Sequence, residues 1–179
     1  PRSSTNRYTR LLLGVEGKAG GDKVRYAFLA GPDFRRYEAA TQYIVDRTPT
    51  AAWGEASLTA TLTKADALTA SAKRERWLSS TGQAVYDNDN VLLGWRHRFD
   101  AAWSTQLSAQ YQRGKYVAPT VRDDELRTAS GQVQWTVSPR LALTLDVAWQ
   151  AGVDRLRTVA TAGRDFHRVA TGLGARWAY

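Results

Sequence analysis

The chain of 179 residues contains no cysteine, no methionine, and no apolar run that approaches the length of a membrane helix. Without cysteine there is no disulfide framework, no thiol nucleophile and no thiolate metal site. The same absence suits a chain that passes through an oxidising periplasm. Because position 1 is Pro1 and not methionine, the chain reads as processed or truncated, with any signal peptide upstream of it. A membrane helix needs roughly 18–20 consecutive apolar residues, and mean hydropathy here is negative. Barrel strands alternate and average out to polar, so neither observation excludes a membrane β-barrel.

What is present in excess is positive charge, a net +8. A basic balance raises the question of nucleic acid. The arginines are scattered, often at segment ends, and form no basic helix or arm. No nucleic-acid partner is expected. A pore lining, or contact with lipopolysaccharide phosphates and outer-membrane lipid, accounts for the same charge.

Alternation with period two dominates the chain. Ala129, Gly131, Val133, Trp135 and Val137 share one face, and Thr128, Ser130, Gln132, Gln134 and Thr136 the other. Leu141, Leu143, Leu145, Val147 and Trp149 oppose Ala142, Thr144, Asp146, Ala148 and Gln150. Trp103, Leu107, Ala109 and Tyr111 oppose Ser104, Gln106, Ser108, Gln110 and Gln112. Val169, Leu173, Ala175, Trp177 and Tyr179 oppose Arg168, Ala170, Gly172, Gly174 and Arg176. Weaker segments follow the scheme around Val91–Phe99, Leu68–Glu75, Glu55–Leu62, Val24–Ala30 and Leu11–Gly17. Trp53 and Trp77 fall on the polar face and call for bulges or interior packing.

This patterning predicts about nine strands, most of them longer than the five or six residues usual in soluble proteins and matching the nine to eleven of a tilted membrane strand. Read from the C-terminus, the connections alternate. Those around Val153–Arg164, Tyr116–Glu125, Leu78–Asn90 and Pro32–Thr50 are long; Ser138–Arg140, Asp100–Ala102, Lys64–Ala67 and Lys18–Lys23 are short. Outer-membrane barrels have short periplasmic turns and long external loops. Phe99, Trp103, Trp135, Trp177 and Tyr179 then fall near the periplasmic edge, and Tyr111 and Trp149 near the outer edge, where aromatic rings favour the lipid–water boundary.

The expected fold class is therefore all-β, an antiparallel up-and-down transmembrane β-barrel with about nine or ten visible strands. An even strand number leaves one strand wanting, so residues 1–179 are expected to be the C-terminal portion of a single larger barrel domain, or to hide a strand in Arg36–Val45.

The final segment, Gly174-Ala-Arg-Trp177-Ala-Tyr179, resembles the C-terminal β-signal of outer-membrane proteins, which implies recognition by the barrel-assembly machinery. The signal prefers a polar residue where Gly172 stands. From about Thr48 to Tyr179 the chain resembles the β-barrel porins encoded beside exopolysaccharide genes. The resemblance rests on TPTAAWGEASLTATLT, LTASAKRERW, DNDNVLLGWRHRF, RDDELRTASGQVQWTVSPRLALTLDVAW and DFHRVATGLGARWAY. It implies passage of a polysaccharide or of small solutes, and brings no catalytic or ligand residues with it.

The candidate site is the polar face itself. Lys73, Arg96, Arg98, Gln106, Gln110, Gln132, Gln134, Arg168 and Arg176 are expected to face a lumen. Amides offer sugars both donors and acceptors, and arginine favours anions. The competing arrangement is a plugged interior in which these cations pair with Glu55, Glu75 and Asp146. No cofactor and no metal are expected. Asp87-Asn88-Asp89-Asn90 resembles half a calcium loop but lacks its distal glutamate, and reads as turn-forming residues at a loop's end. Asp123-Asp124-Glu125 reads as a solvated external loop. His97 marks the membrane edge and His167 lies beside Asp165, neither with a nucleophile motif, so an enzyme is not expected. A hydrolase or acyltransferase would need a Ser or Asp within reach of one of these histidines, facing the membrane edge or outer rim.

Overall fold

The computed structural model describes residues 6–37, 46–79, 84–117, 122–156 and 165–177, and among these residues there is no helix. The ten strands are β1 (Asn6–Arg10), β2 (Leu13–Ala19), β3 (Val24–Tyr37), β4 (Thr50–Thr61), β5 (Asp66–Leu78), β6 (Val85–Arg98), β7 (Trp103–Tyr116), β8 (Asp123–Ser138), β9 (Leu141–Asp154) and β10 (Phe166–Trp177). They form one antiparallel sheet in chain order, with β1 and β2 both lying on the free side of β3.

β1 and β2 are one ribbon. Arg10 faces Asp33 and Leu13 faces Ala30 in an unbroken register. The Leu11 N–H donates to the Pro32 carbonyl at 3.2 Å, but Pro32 has no N–H to return. Gly31 admits the close approach, since a Cβ there would sit 1.9 Å from the Leu11 carbonyl oxygen. The sheet thus has nine ribbons, as the alternation predicts. The pairing does not close: the β1/β2 edge and the β10 edge are unpaired, and every residue of β10 is exposed.

Each short turn has a local chemical reason. Gly20, Gly21 and Asp22 all take positive φ between β2 and β3, a conformation two glycines adopt freely. At the other three turns a side-chain oxygen captures backbone N–H groups. The Thr63 hydroxyl accepts from Ala65 and Asp66, Asp100 from Ala102 and Trp103, and Ser138 from Arg140 and Leu141. A bulge between Thr136 and Ser138 adjusts the register there.

The strands run past their predicted ends on the long-loop side, and this corrects several boundaries. β3 continues through Pro32 to Tyr37, so Arg36 and Tyr37 are strand; residues 38–45, the rest of the expected hidden strand, lie outside the described residues. β6 begins at Val85, so Asp87–Asn90 is strand and not a loop end. β8 begins at Asp123, so Asp123–Glu125 is strand as well. Strands of twelve to sixteen residues exceed what a bilayer needs, and the surplus projects beyond it. There the outer face turns polar, which made its residues look like loop.

No second layer covers the apolar face. Leu145 is 47% exposed and Leu93 55%, whereas Ala142, on the opposite face of β9, is 7% exposed. A water-soluble sandwich buries its apolar face and leaves its polar face wet. In this sheet the apolar face is left uncovered.

Candidate functional site

The cross-strand register arranges the polar face as rungs. One runs Arg96, Gln106, Gln132, Asp146, Gly172 across β6 to β10. The next toward the short turns runs Arg98, Ser104, Gln134, Thr144, Gly174. Toward the long-loop end lies Gln110, Thr128, Gln150, Arg168, and beyond it Lys73, Asn90, Gln112, Leu126, Gly152, Phe166. Arg176 sits opposite Ala142. All nine sequence-predicted residues therefore share this one face.

Hydrogen bonds run both along the rungs and between them. Ser108 and Ser130 meet at 2.7 Å, and the Gln132 amide donates to Asp146 at 2.6 Å. Gln110 donates to Asn90 and Gln112 to Asn88, each at 2.9 Å. Lys73 pairs with Glu75 at 3.0 Å, and Arg98 donates to the Lys64 carbonyl at 3.2 Å. Among the described residues, Arg96, Arg168 and Arg176 make no such contact, and a solvated cation needs none.

At the long-loop end the same face forms a concave mouth of about 530 Å³. Tyr86 and Tyr116 stack there with ring centroids 5.1 Å apart, and the Arg122 guanidinium covers Tyr116 at 4.8 Å while pairing with Asp124. Phe166 lies flat on Gly152, where a Cβ would come within 2.3 Å of its ring. None of these was singled out from sequence. The signal was available: continuing the even-numbered parity of β6 backward from Arg96 reaches Asn90, Asn88 and Tyr86.

On β3, Asp33 is fully buried between Arg35 at 2.7 Å and Arg10 at 3.4 Å. The Arg10 guanidinium also lies over Tyr8 and Trp53. Trp53 is thus accommodated by interior packing, 7% exposed, and its polar-face position needs no bulge. Trp77, opposite Tyr86, is half exposed.

On the outer face, above Tyr111 and Trp149, charged pairs replace the apolar side chains. Arg76 pairs with Asp87 and Arg74 with Asp89; Arg113 pairs with Asp123, and Glu125 accepts from both Arg127 and Arg155. The Arg113 hydrogen bond holds the Asp123 carboxyl below its ordinary range. Burial opposes the charge on Glu125, but the bonds from Arg127 and Arg155 outweigh it and hold that carboxyl low too. A carboxylate depressed by folding stabilises the fold above its unfolded pKa of about 4, and that contribution disappears as pH falls through the folded value. The thermal midpoint of the folded barrel is therefore expected to drop between pH 5 and pH 2. Replacing Asp123 by Asn and Glu125 by Gln should flatten that dependence. A wild-type midpoint constant over this interval would refute it.

His97 packs on Trp95 and Phe99 on the outer face near the short turns, with Nδ1 2.7 Å from Asp66 Oδ1. The hydroxyl directly across from it, on Thr105, donates to the Gln132 carbonyl. His167 lies exposed on β10, opposite Ala151; Asp165 accepts from the Asp154 N–H. Among the described residues no three His, Cys, Asp or Glu side chains gather closely enough to hold a metal ion.

One sheet of long up-and-down strands, apolar outside and hydrogen-bonding inside, has known counterparts. OmpT, an outer-membrane protein of Vibrio cholerae, superposes on 98% of the chain with TM-score 0.56 and 11% identity. A variant of it lacking loop L8 superposes on 96% with TM-score 0.61, also at 11% identity. The fold is that of an outer-membrane β-barrel. The chain spans about half the length of these proteins, 57% of OmpT and 53% of the variant. No family model matches the sequence, and no curated protein matches it. Within this fold β10 is an edge strand, paired only with β9. Gly174 rests on Thr144, where a Cβ would lie 2.6 Å from the hydroxyl oxygen, and Trp177 points outward, 59% exposed. Tyr179, the third residue of the expected assembly signal, lies outside the described residues.

Proposed function

We propose that this chain forms part of the wall of a passive channel in the bacterial outer membrane, with its long-loop end outward, admitting small polar or anionic solutes. The observation that carries the reading is the composition of the inner rungs. At membrane height the amides and hydroxyls of Gln106, Gln110, Gln132, Gln134, Ser108 and Ser130 are joined by Arg96, Arg98, Arg168 and Arg176, against Asp146. Amides accept and donate to hydroxylated solutes, and the surplus cations raise the local concentration of anions. Export of a polysaccharide fits the same lining. The C-terminal pattern of Gly174, Trp177 and Tyr179 would be read by the barrel-assembly machinery.

The full-length protein, inserted into planar bilayers, is expected to conduct and to prefer chloride over potassium. Changing Arg96, Arg98, Arg168 and Arg176 to Gln should remove or invert that preference while the barrel still folds. A folded barrel that passes no current would instead make this a structural barrel, packed or anchored within an envelope complex.

The Asp66–His97 pair favours a second reading, an outer-membrane hydrolase, since a carboxylate orienting an imidazole is part of such a site. The pair lies beside Trp95 and Phe99 on the face where such a site is expected; against it, the Thr105 hydroxyl across from His97 is committed to Gln132. Covalent labelling by a fluorophosphonate that is lost in His97→Gln would favour the hydrolase.

A further inference from the structure

We infer that the outer face of β7–β9, just above Tyr111 and Trp149, binds the phosphates of a lipid-anchored phosphorylated sugar of the outer leaflet, the chemistry of lipid A. The inference rests on the outer-membrane reading and adds a partner to it. Four cations, Arg113, Lys115, Arg127 and Arg155, share this patch with two carboxylates, Asp123 and Glu125. At the same height on β5 and β6 the charges cancel, Arg74 with Asp89 and Arg76 with Asp87. On β7–β9 the patch keeps a surplus of two cations.

The layering gives the surplus a direction. The carboxylates lie underneath, with Glu125 side-chain exposure at 4% and Asp123 at 10%, while Arg127 and Arg155 are 59% and 46% exposed above them. Each guanidinium has five N–H donors in a planar fork. Arg155 engages Glu125 through one nitrogen, and Arg127 and Arg113 through two, so donors remain that project away from the barrel. Lys115, opposite Asp123, is exposed beside them. Fixed forks of this kind match phosphate oxygens.

The occupant is a lipid and not a soluble anion because of what lies below. The patch continues directly into Tyr111 and Trp149 and then into Leu107, Val133, Leu145 and Val147 on the same face. A phosphate here caps a column of apolar side chains. That is the geometry of a headgroup above its acyl chains.

The test uses the full-length protein folded in detergent, followed by tryptophan fluorescence and by its heat-modifiable mobility on gels. Titration with diphosphoryl lipid A should saturate, dephosphorylated lipid A should bind roughly tenfold more weakly or worse, and inorganic phosphate at matched concentration should not compete. Lys115→Gln combined with Arg155→Gln leaves Arg113 on Asp123 and Arg127 on Glu125, so folding is kept. This variant should lose roughly tenfold or more in lipid A affinity, and Arg74→Gln on β5 should lose none. Unchanged affinity in the double variant, equal loss in Arg74→Gln, or competition by inorganic phosphate would each overturn the site. A wild-type protein that shows no heat-modifiable barrel form would overturn the outer-membrane reading, and the site with it.

Discussion

Leu145→Arg is expected to destabilise the membrane-inserted barrel by about 2–4 kcal/mol, because it places a charge on the lipid side near mid-bilayer. Leu145 stands on the outer face of β9 between Val133 and Leu173 and has no protein layer over it. Ala148→Arg, three residues on, is expected to cost under about 1 kcal/mol. Ala148 faces inward between Ser130 and Ala170, and an arginine there can reach water along the small-residue rung. Urea unfolding of the protein folded into lipid vesicles measures both. In a water-soluble sheet the order would reverse, since an arginine at an exposed position such as Leu145 would be nearly neutral.

The second large effect is expected at Asp33. Its carboxylate is fully buried against an Arg35 side chain only 4% exposed, with Arg10 behind it. Asp33→Ala removes the carboxylate these two arginines share and leaves a buried cation without it, which should cost about 3–5 kcal/mol. Changing Asp33 to Leu and Arg35 to Met together should recover most of that loss, because well-packed apolar groups often replace a buried ion pair at little cost. A single Asp33→Ala variant as stable as wild type, in the same unfolding assay, would show that the pair contributes only at the level of an exposed one.

The fold was legible wherever period two ran without interruption, and β8 and β9 show why. Every odd-numbered side chain between Ala129 and Val137 and between Leu141 and Trp149 is apolar or small, whereas the even-numbered positions carry Gln, Ser, Thr, Ala and Asp. The connections were legible for a related reason: Thr63, Asp100 and Ser138 each close a short turn with one side-chain oxygen, so little sequence is spent there. What sequence hid is the part of each strand above the bilayer. At Asp87, Asp89, Asp123 and Glu125 the outward side meets water or headgroups, the alternation loses contrast, and strand reads as loop. Trp53 was ambiguous because its burial comes from Arg10 on a ribbon remote in sequence. The inner residues were predictable in direction, but the stacking of Tyr86 on Tyr116 and the double capture of Glu125 depend on registers that parity alone does not supply.

The absence of cysteine from the chain makes a direct measurement possible. Single cysteines introduced one at a time from Leu141 to Gln150, in protein folded into lipid vesicles, can be scored with a membrane-impermeant maleimide and with a lipid-soluble spin-label quencher. The even-numbered positions should react with the maleimide, and the odd-numbered ones should respond to the quencher. Reactivity with no period of two, or with the two sets exchanged, would contradict a sheet that turns its leucines to lipid and its amides to water.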